Sequence, residues 1–279
     1  MGSGTSFETI VVDNGSVDGS VDLLRSRPDL ILLENPRNLG FAAAVNQGYQ
    51  RSRAALVLLL NSDVEVLPGS VGSLAEFLSL HPEIAGAAPL YRNPDGSPQP
   101  FHFRFPTFIV TLANASAPIR KLPGMEARLR AFRMLDEDFS SPRRVPQPSA
   151  SCLLLRRSAL PPEHIFDERY PIFFNDVQLA RSLADAGREL WVTPESIVIH
   201  EGSASTRKLG AALKRQYLAS VVRMLDETEP RRNVFLYRAL VLVQGVALLL
   251  GRRPSALSWR DLAGSLVGDP GPLPSGPRE

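Results

Sequence analysis

Short apolar runs alternate along the chain with segments whose apolar positions recur every three or four residues, which predicts strands alternating with helices. The run Leu56–Leu60 (Leu-Val-Leu-Leu-Leu) ends abruptly in Asn61-Ser62-Asp63, as a strand buried on both faces ends at the rim of a sheet. Thr9–Asp13, Leu30–Glu34 and Ile84–Pro89 read as further strands. Helices are predicted from a cap at Ser16 or Asp18 to about Arg27, and over Gly40–Ser52 with Ala42, Val45 and Tyr49 on one face. A third runs from Pro68 to about Leu80. This β-α-β-α-β-α-β order implies an α/β fold whose mostly parallel sheet is wrapped by helices.

Beyond Pro89 the pattern loosens. Asn93-Pro94-Asp95-Gly96 is turn chemistry, followed by an expected strand through Phe103–Phe105. Pro106–Pro148 carries several prolines and charges without a clean period and is expected to be a mobile loop region. Ser149–Arg156 returns as a strand. Asn175–Ala186 is a helix with Asn175 as its N-cap, and Asp176 shares a stripe with Ala180 and Leu183, which turns its carboxylate inward. Glu189–Thr193 and Ile197–His200 are strands, with His200 at a strand end. From Leu209 the character changes: Leu209–Leu225 is helical and basic, and Val234–Leu250 is strongly apolar, with Arg238 inside it and Arg252-Arg253 after it. That stretch falls short of the ~20 residues a spanning helix needs. Two readings stand for it: a helix lying in a membrane interface with arginines toward lipid phosphates, or a C-terminal helix packed on the domain. Residues 254–279, rich in Pro, Gly and Ser, are expected to be a disordered tail.

Composition narrows the chemistry. The net charge is only +2 over 279 residues, which argues against a nucleic-acid binder. The single cysteine, Cys152, excludes an intramolecular disulfide and suits a reducing, cytoplasmic compartment; its setting in Ser-Cys-Leu-Leu-Leu makes the thiol a packing group. Met1–Phe7 is small and polar, so no leader is expected there. The four histidines are scattered, which leaves no Cys/His zinc cluster. Asn61 and Asp63, at i and i+2 past a strand end, are spaced to face one hard cation such as Mg²⁺ or Mn²⁺. An Asn-Ser-Asp turn closing a core strand is the competing reading.

A set of segments in fixed order changes the picture. Val-Val-Asp-Asn-Gly-Ser-Val-Asp-Gly-Ser (11–20), Asn-Pro-Arg-Asn-Leu-Gly-Phe-Ala-Ala-Ala-Val-Asn-Gln-Gly (35–48) and Leu-Leu-Leu-Asn-Ser-Asp-Val-Glu-Val (58–66) come first. Asn-Pro-Asp-Gly-Ser (93–97), Ser-Ala-Ser-Cys-Leu-Leu-Leu-Arg-Arg (149–157), Phe-Asp-Glu-Arg-Tyr (166–170), Phe-Phe-Asn-Asp-Val (173–177) and Ile-His-Glu-Gly-Ser-Ala-Ser-Thr-Arg (199–207) follow. Together they resemble the family 2 inverting glycosyltransferases with the GT-A fold, in the rhamnosyltransferase-like branch that builds bacterial surface polysaccharides. The resemblance covers about residues 8–210. It implies a GT-A domain over 1–208; the residue pattern adds a C-terminal helical region over 209–253, open to both readings above, and the tail beyond.

The resemblance also implies roles. Asp13, Asn14 and Gly15 would meet the nucleotide base, and Arg37, Asn38 and Gly40 the diphosphate at a helix N-terminus. Asn61 would join the donor site, while Asp63, like the last carboxylate of a DxD-type motif, would hold Mg²⁺ or Mn²⁺ with His200 completing its shell. Asp176 resembles the catalytic base, kept ionised by its helix N-terminus. The implied partners are a nucleoside-diphosphate sugar donor and a saccharide or polyprenyl-lipid-linked acceptor. The implied location is cytoplasmic, peripheral on the inner face of the cytoplasmic membrane.

The chain also departs from the family. The first strand, which normally precedes the Asp13 segment, is missing, so its neighbours are expected to be unpaired and the core open; a start placed too late and a true fragment are the two explanations. Asn175 stands in place of a usual Glu, Gln178 of a common Asp, and Ala150 of a common Gly. Two other functions are weighed: a catalytically impaired remnant that binds a nucleotide sugar or a partner enzyme, and a nucleotidyltransferase. The latter would need a Gly-rich basic loop after its first strand, and none is visible.

Overall fold

The computed structural model of the chain describes residues 6–202, 210–250 and 258–273. Its first part alternates as expected: β1 (Thr9–Asp13), α1 (Ser20–Arg25), β2 (Leu30–Glu34), α2 (Phe41–Arg51) and β3 (Leu56–Leu60). β4 (Val64–Val66), α3 (Ser70–Leu80) and β5 (Gly86–Arg92) follow, then the short strands β6 (Pro98–Gln99) and β7 (His102–Phe103). Next are α4 (Phe108–Ala115), α5 (Ala117–Arg120), α6 (Met125–Phe132), β8 (Arg143–Arg144), β9 (Gln147–Pro148) and β10 (Cys152–Arg156). The chain continues through α7 (Asn175–Asp185), β11 (Leu190–His200), α8 (Ala211–Thr228), α9 (Arg231–Leu250) and α10 (Trp259–Leu266).

The main sheet runs β3-β10-β5-β11-β4, with β6 beside β5 and β8 beside β11. β10 pairs antiparallel with both β3 and β5, and β11 pairs parallel with β5, so β3, β5 and β11 share one direction and β10 runs against them. Side chains of β10 alternate between the two faces as the pleat requires. Leu153 and Leu155 meet Ala42 and Tyr49 of α2 and Leu179 and Leu183 of α7 on one face. Cys152 and Leu154 meet Leu74 and Leu78 of α3 on the other. The Cys152 thiol is buried and pushed up to about 12 by desolvation, which makes it a core group.

β1 and β2 pair in parallel, but only with each other; they form a separate two-stranded sheet. β3, on its side, is paired only by β10. Among the described residues, both the β1–β2 pair and β3 therefore keep an open edge. α2 spans the break: Gly48 approaches Ile10 and Val12 of β1, while Tyr49 and Ala42 pack on the main core. An unpaired edge leaves backbone groups open and apolar side chains half covered, and Leu60 is 47% exposed. We expect β1 and β2 amides to exchange with solvent on the order of a hundredfold faster than those of β5 and β10. Hydrogen exchange read by mass spectrometry tests this, and equal protection would show that α2 welds the two sheets into one cooperative unit.

Four expectations are corrected. Residues 106–148 are not a mobile loop; they fold as α4, α5 and α6 with β8 and β9, and Thr107 caps α4 through its side chain. The helices run only four to eight residues each, too few turns for a period to show. The expected strand at Phe103–Phe105 is only His102–Phe103. Strands 189–193 and 197–200 are one strand, β11, with an irregular register between Val192 and Ile197. The tail expected to be disordered instead carries α10, whose capping box joins Ser258 and Asp261, and a strap to Leu273. Buried Arg215 holds this strap through Asp269 (2.5 Å) and Asp261 (3.3 Å), and Gln216 donates to the Gly271 carbonyl. Residues 274–279, Arg252-Arg253 and the 203–207 part of the last motif lie outside the described residues.

Candidate functional site

The strand ends named in the sequence meet along one rim. At the ends of β1 and β2, Asp13 is buried and its Oδ2 accepts from the amides of Gly15 (2.9 Å) and Ser16 (3.0 Å). Asn14 donates to the Gly40 carbonyl at 3.1 Å and accepts from Asn35 at 3.0 Å, which locks this loop to the next. Gly15 has φ +80°, and a Cβ there would lie 2.9 Å from the Arg37 backbone. Asn38 accepts from the Gly40 amide at 2.9 Å, and the Arg37 side chain is exposed at the loop surface.

Gly40 leads into α2 with φ +94°, and a Cβ there would come within 2.8 Å of the Pro171 carbonyl and 3.3 Å of Leu273. That carbonyl accepts from the Ala42 amide at 3.1 Å, so one of the first free amides of α2 already has a protein partner. Gly40→Ala combines a strained φ with a clash against backbone, and is expected to cost about 2–4 kcal/mol in urea unfolding. A variant as stable as the parent would show that the Pro171 segment yields freely.

The second cluster sits where β3 and β11 end. β4 and β11 pair Val64 with His200, and the Glu201 amide donates to the Asp63 carbonyl at 3.1 Å, so Asp63 is carried to the side of His200. His200 Nε2 lies 3.5 Å from Asp63 Oδ2. Its Nδ1 lies 2.8 Å from Gln99 Oε1, and the Gln99 amide nitrogen donates to Asn93 (2.8 Å) and to the His200 carbonyl (3.2 Å). Gln99 Oε1 is therefore an acceptor, Nδ1 the donor, and Nε2 carries the lone pair in the neutral ring, as a metal ligand requires. Nearby, the buried Asn61 Oδ1 has no hydrogen-bond partner, an orphaned oxygen at the rim. Among the described residues no three His, Cys, Asp or Glu side chains converge, so the donor set is one carboxylate and one imidazole. A hard cation keeping water and substrate phosphate oxygens fits such a partial shell.

The third element is Asp176, in the first turn of α7. Phe174, not Asn175, is the N-cap, in a left-handed conformation (φ +66°); Asn175 is the first helical residue and turns back to donate to the Ile172 carbonyl at 2.9 Å. Asp176 accepts from the Val177 amide (2.8 Å) and from Gln147 Nε2 (3.0 Å). Desolvation outweighs these bonds and lifts its carboxyl to about 6, so burial, rather than the helix N-terminus, sets its ionisation. It borders a cavity of about 190 Å³ walled by Phe103, Phe132, Phe173, Phe174 and Tyr217. Aromatic faces of this kind suit the apolar face of a sugar ring.

A polar path joins the last two clusters. Asn61 donates to Ser151 Oγ (3.2 Å), Ser149 donates to Ser151 (3.1 Å), and Gln147 two residues earlier holds Asp176. Gln99, Gln147, Ser151 and the aromatic wall were not named from the sequence. Gln147 lies in a Pro-Gln-Pro segment with no period to place it, and Phe132 and Tyr217 reach the cavity from α6 and α8.

Comparison with known proteins follows the geometry. Residues 3–161 match the family described as Glycosyl transferase family 2. The chain is 33% identical over 209 residues to an N-acetylglucosaminyl-diphospho-decaprenol L-rhamnosyltransferase of Mycobacterium tuberculosis, across 71% of this chain and 67% of that protein. It is 27% identical over 135 residues to an undecaprenyl-phosphate 4-deoxy-4-formamido-L-arabinose transferase of Pseudomonas aeruginosa, across 47% of this chain and only 38% of that one. Among solved structures, GalNAc-T7 with UDP, GalNAc and Mn²⁺ superposes with a TM-score of 0.51 at 18% identity, over 77% of this chain and 42% of that one. That likeness speaks for a shared GT-A fold.

Proposed function

The chain belongs to glycosyl transferase family 2, and from that premise we propose that it transfers a deoxyhexose, rhamnose-like in class, from a nucleoside diphosphate to a saccharide on a polyprenyl diphosphate. The observation that carries this reading is Asp176: a carboxylate lifted to about 6 at the border of an aromatic-walled cavity and held there by Gln147. The acceptor hydroxyl oxygen attacks the anomeric carbon, the bond from that carbon to the diphosphate oxygen breaks, and Asp176 takes the hydroxyl proton. The base and the leaving group lie on opposite sides, so the anomeric carbon inverts. Gln147 orients the Asp176 carboxylate, and the aromatic wall positions the acceptor ring.

Asp63 and His200 are the residues that would hold Mg²⁺ or Mn²⁺, whose chemistry is to neutralise charge on the departing diphosphate. Asp13, Asn14, Gly15, Arg37, Asn38 and Gly40 line the loops that would seat the nucleotide, and Asn61 would join the donor site from the end of β3. A lipid-borne acceptor places the work at a membrane surface, on the cytoplasmic side where nucleotide sugars are found.

Thermal melting with a panel of nucleoside diphosphates, with and without Mn²⁺, tests the donor site. A ligand at 100 times its dissociation constant adds about 2.7 kcal/mol. A metal-dependent shift with one or two nucleotides is expected, together with transfer to a polyprenyl-diphosphate sugar. The separate β1–β2 sheet favours one second reading, a chain that binds the nucleotide sugar with impaired turnover. It would give the melting shift without transfer, whereas no shift at all on a folded protein would overturn both.

A further inference from the structure

α9 is amphipathic in an unusual sense: both of its faces are apolar. Val234, Tyr237 and Val241 are buried against α8 and α10. Phe235 (71% exposed), Leu236, Leu242 and Val243 (67% exposed) project outward. At 100° per residue these four, with Ala239 and Val246, fall on one stripe that no charged side chain interrupts between Phe235 and Val246; Arg238 lies to one side of it, paired with Asp226 at 2.7 Å. A soluble monomer rarely leaves such a patch open without a use.

The charges around the stripe are also sorted. Arg231 and Arg232 are exposed at its N-terminal end and have no ion-pair partner among the described residues. Toward the other end, Gln244 donates to the Ala115 carbonyl at 3.1 Å, which brings the α5 segment close, with exposed Arg120, Lys121 and Leu122. Of the nearby acids, Asp226 pairs with Arg238, Glu227 with Arg169 and the Tyr170 hydroxyl, and Glu229 accepts from the Asn233 amide. What faces outward is an apolar stripe with two exposed arginines, without an ion-pair partner among the described residues, at its N-terminal end.

We propose that this face of α9 is a docking surface for an anionic phospholipid bilayer, with the helix lying in the interface plane, its apolar stripe among the acyl chains and Arg231 and Arg232 at the phosphates. No helix among the described residues is long and apolar enough to cross a membrane, so attachment along a helix face is the mode the geometry offers. The catalytic cavity is close at hand, since Thr111 and Asn114 of α4 and Tyr217 of α8 line it and both helices pack on α9. The proposal rests on the lipid-borne acceptor for why the surface exists, but its test uses binding alone.

The full chain is sedimented with vesicles of phosphatidylcholine, or of phosphatidylcholine mixed with phosphatidylglycerol, at low and physiological salt. Strong partition onto the anionic vesicles is expected, weakening with salt. Phe235→Ser/Val243→Ser should lower it about tenfold or more by removing apolar insertion. Arg231→Gln/Arg232→Gln should lower it about tenfold or more on anionic vesicles only. All these positions are solvent-facing, and unchanged melting temperatures confirm that the variants fold. Unchanged partition in the Phe235/Val243 variant, or no partition by the parent, overturns the proposal. A concentration-dependent dimer that this variant dissociates, in the absence of vesicle binding, overturns it in favour of a second copy of the chain. Transfer to a soluble acceptor should be equal in all three proteins. If none of them transfers while vesicle binding holds, the proposed function fails and the docking surface stands.

Discussion

Asp176→Asn is expected to abolish transfer, to leave donor binding intact and to make the protein more stable at pH 7.5. The first effect follows from removal of the one carboxylate that lines the cavity among the described residues, a contribution of about 10²–10⁴-fold or more. The second follows because the donor-side residues Asp13, Asn14, Gly15 and Gly40 bond to one another and not to Asp176. The third is linkage. Burial lifts the folded-state carboxyl from 3.8 to about 6, so the folded protein favours the protonated form. That preference contributes stability fully below the unfolded value and loses it as pH rises through about 6, so at pH 7.5 the parent bears the cost of a desolvated charge.

A neutral amide escapes that cost, on the order of 1–2 kcal/mol after allowing for the altered bond to Gln147. The advantage should shrink as pH falls toward 5. In the parent, kcat/KM should fall about tenfold per pH unit below an apparent value near 6, the limb of an essential base. Melting curves at several pH values and a pH–rate profile check both. A variant that still transfers removes Asp176 from the base role, and one that is destabilised at every pH shows that its hydrogen bonds outweigh its desolvation.

Asp63→Ala is expected to lower turnover about 10³-fold and to erase the Mn²⁺-dependent part of nucleoside-diphosphate binding. The side chain is 28% exposed and its backbone carbonyl, not its carboxylate, ties it to β11, so the fold should survive the change. His200→Ala tests the same pair from its buried side. It also opens the contact with Phe101, whose ring centroid lies 4.5 Å away, so a loss of stability accompanies the loss of metal response. Gln99→Leu touches neither the cation nor the donor but frees the imidazole to rotate. A loss of about 10–100-fold in Mn²⁺ affinity is expected there. Calorimetric titration of Mn²⁺ with and without nucleoside diphosphate reads all three. Parent-like metal response in Asp63→Ala would exclude the pair as the cation site. Restoration of transfer by chelation followed by Mn²⁺ would show that the parent depends on the ion.

The sequence by itself determined the parts in which one local pattern has one outcome. Thr9–Asp13 and Leu30–Glu34 are strands at the predicted residues because β-branched and aliphatic runs stopped by Asp-Asn-Gly and Asn-Pro leave no helical alternative. The placing of Asp13, Asn61, Asp63, His200 and Asp176 at strand and helix ends was equally legible, since strands and helices of this kind deliver their termini to one rim. The structure also sets β1 and β2 in a small sheet of their own beside the main one, a division no local pattern announces.

Tertiary structure decided what depends on distant neighbours. Residues 106–148 are folded because Phe132 and Phe103 stack at 5.5 Å, a contact no local period announces. Gln147 and Gln99 gain their roles only when Asp176 and His200 are carried beside them from elsewhere in the chain. The ionisation of Asp176 was misjudged from the sequence for the same reason: a helix N-terminus is local and visible, whereas the desolvation that overrides it is the sum of everything packed around the carboxylate. And of α9 the structure shows one face buried on α8 and α10 and the other left open, a division that hydrophobicity along the chain cannot show because both faces are apolar.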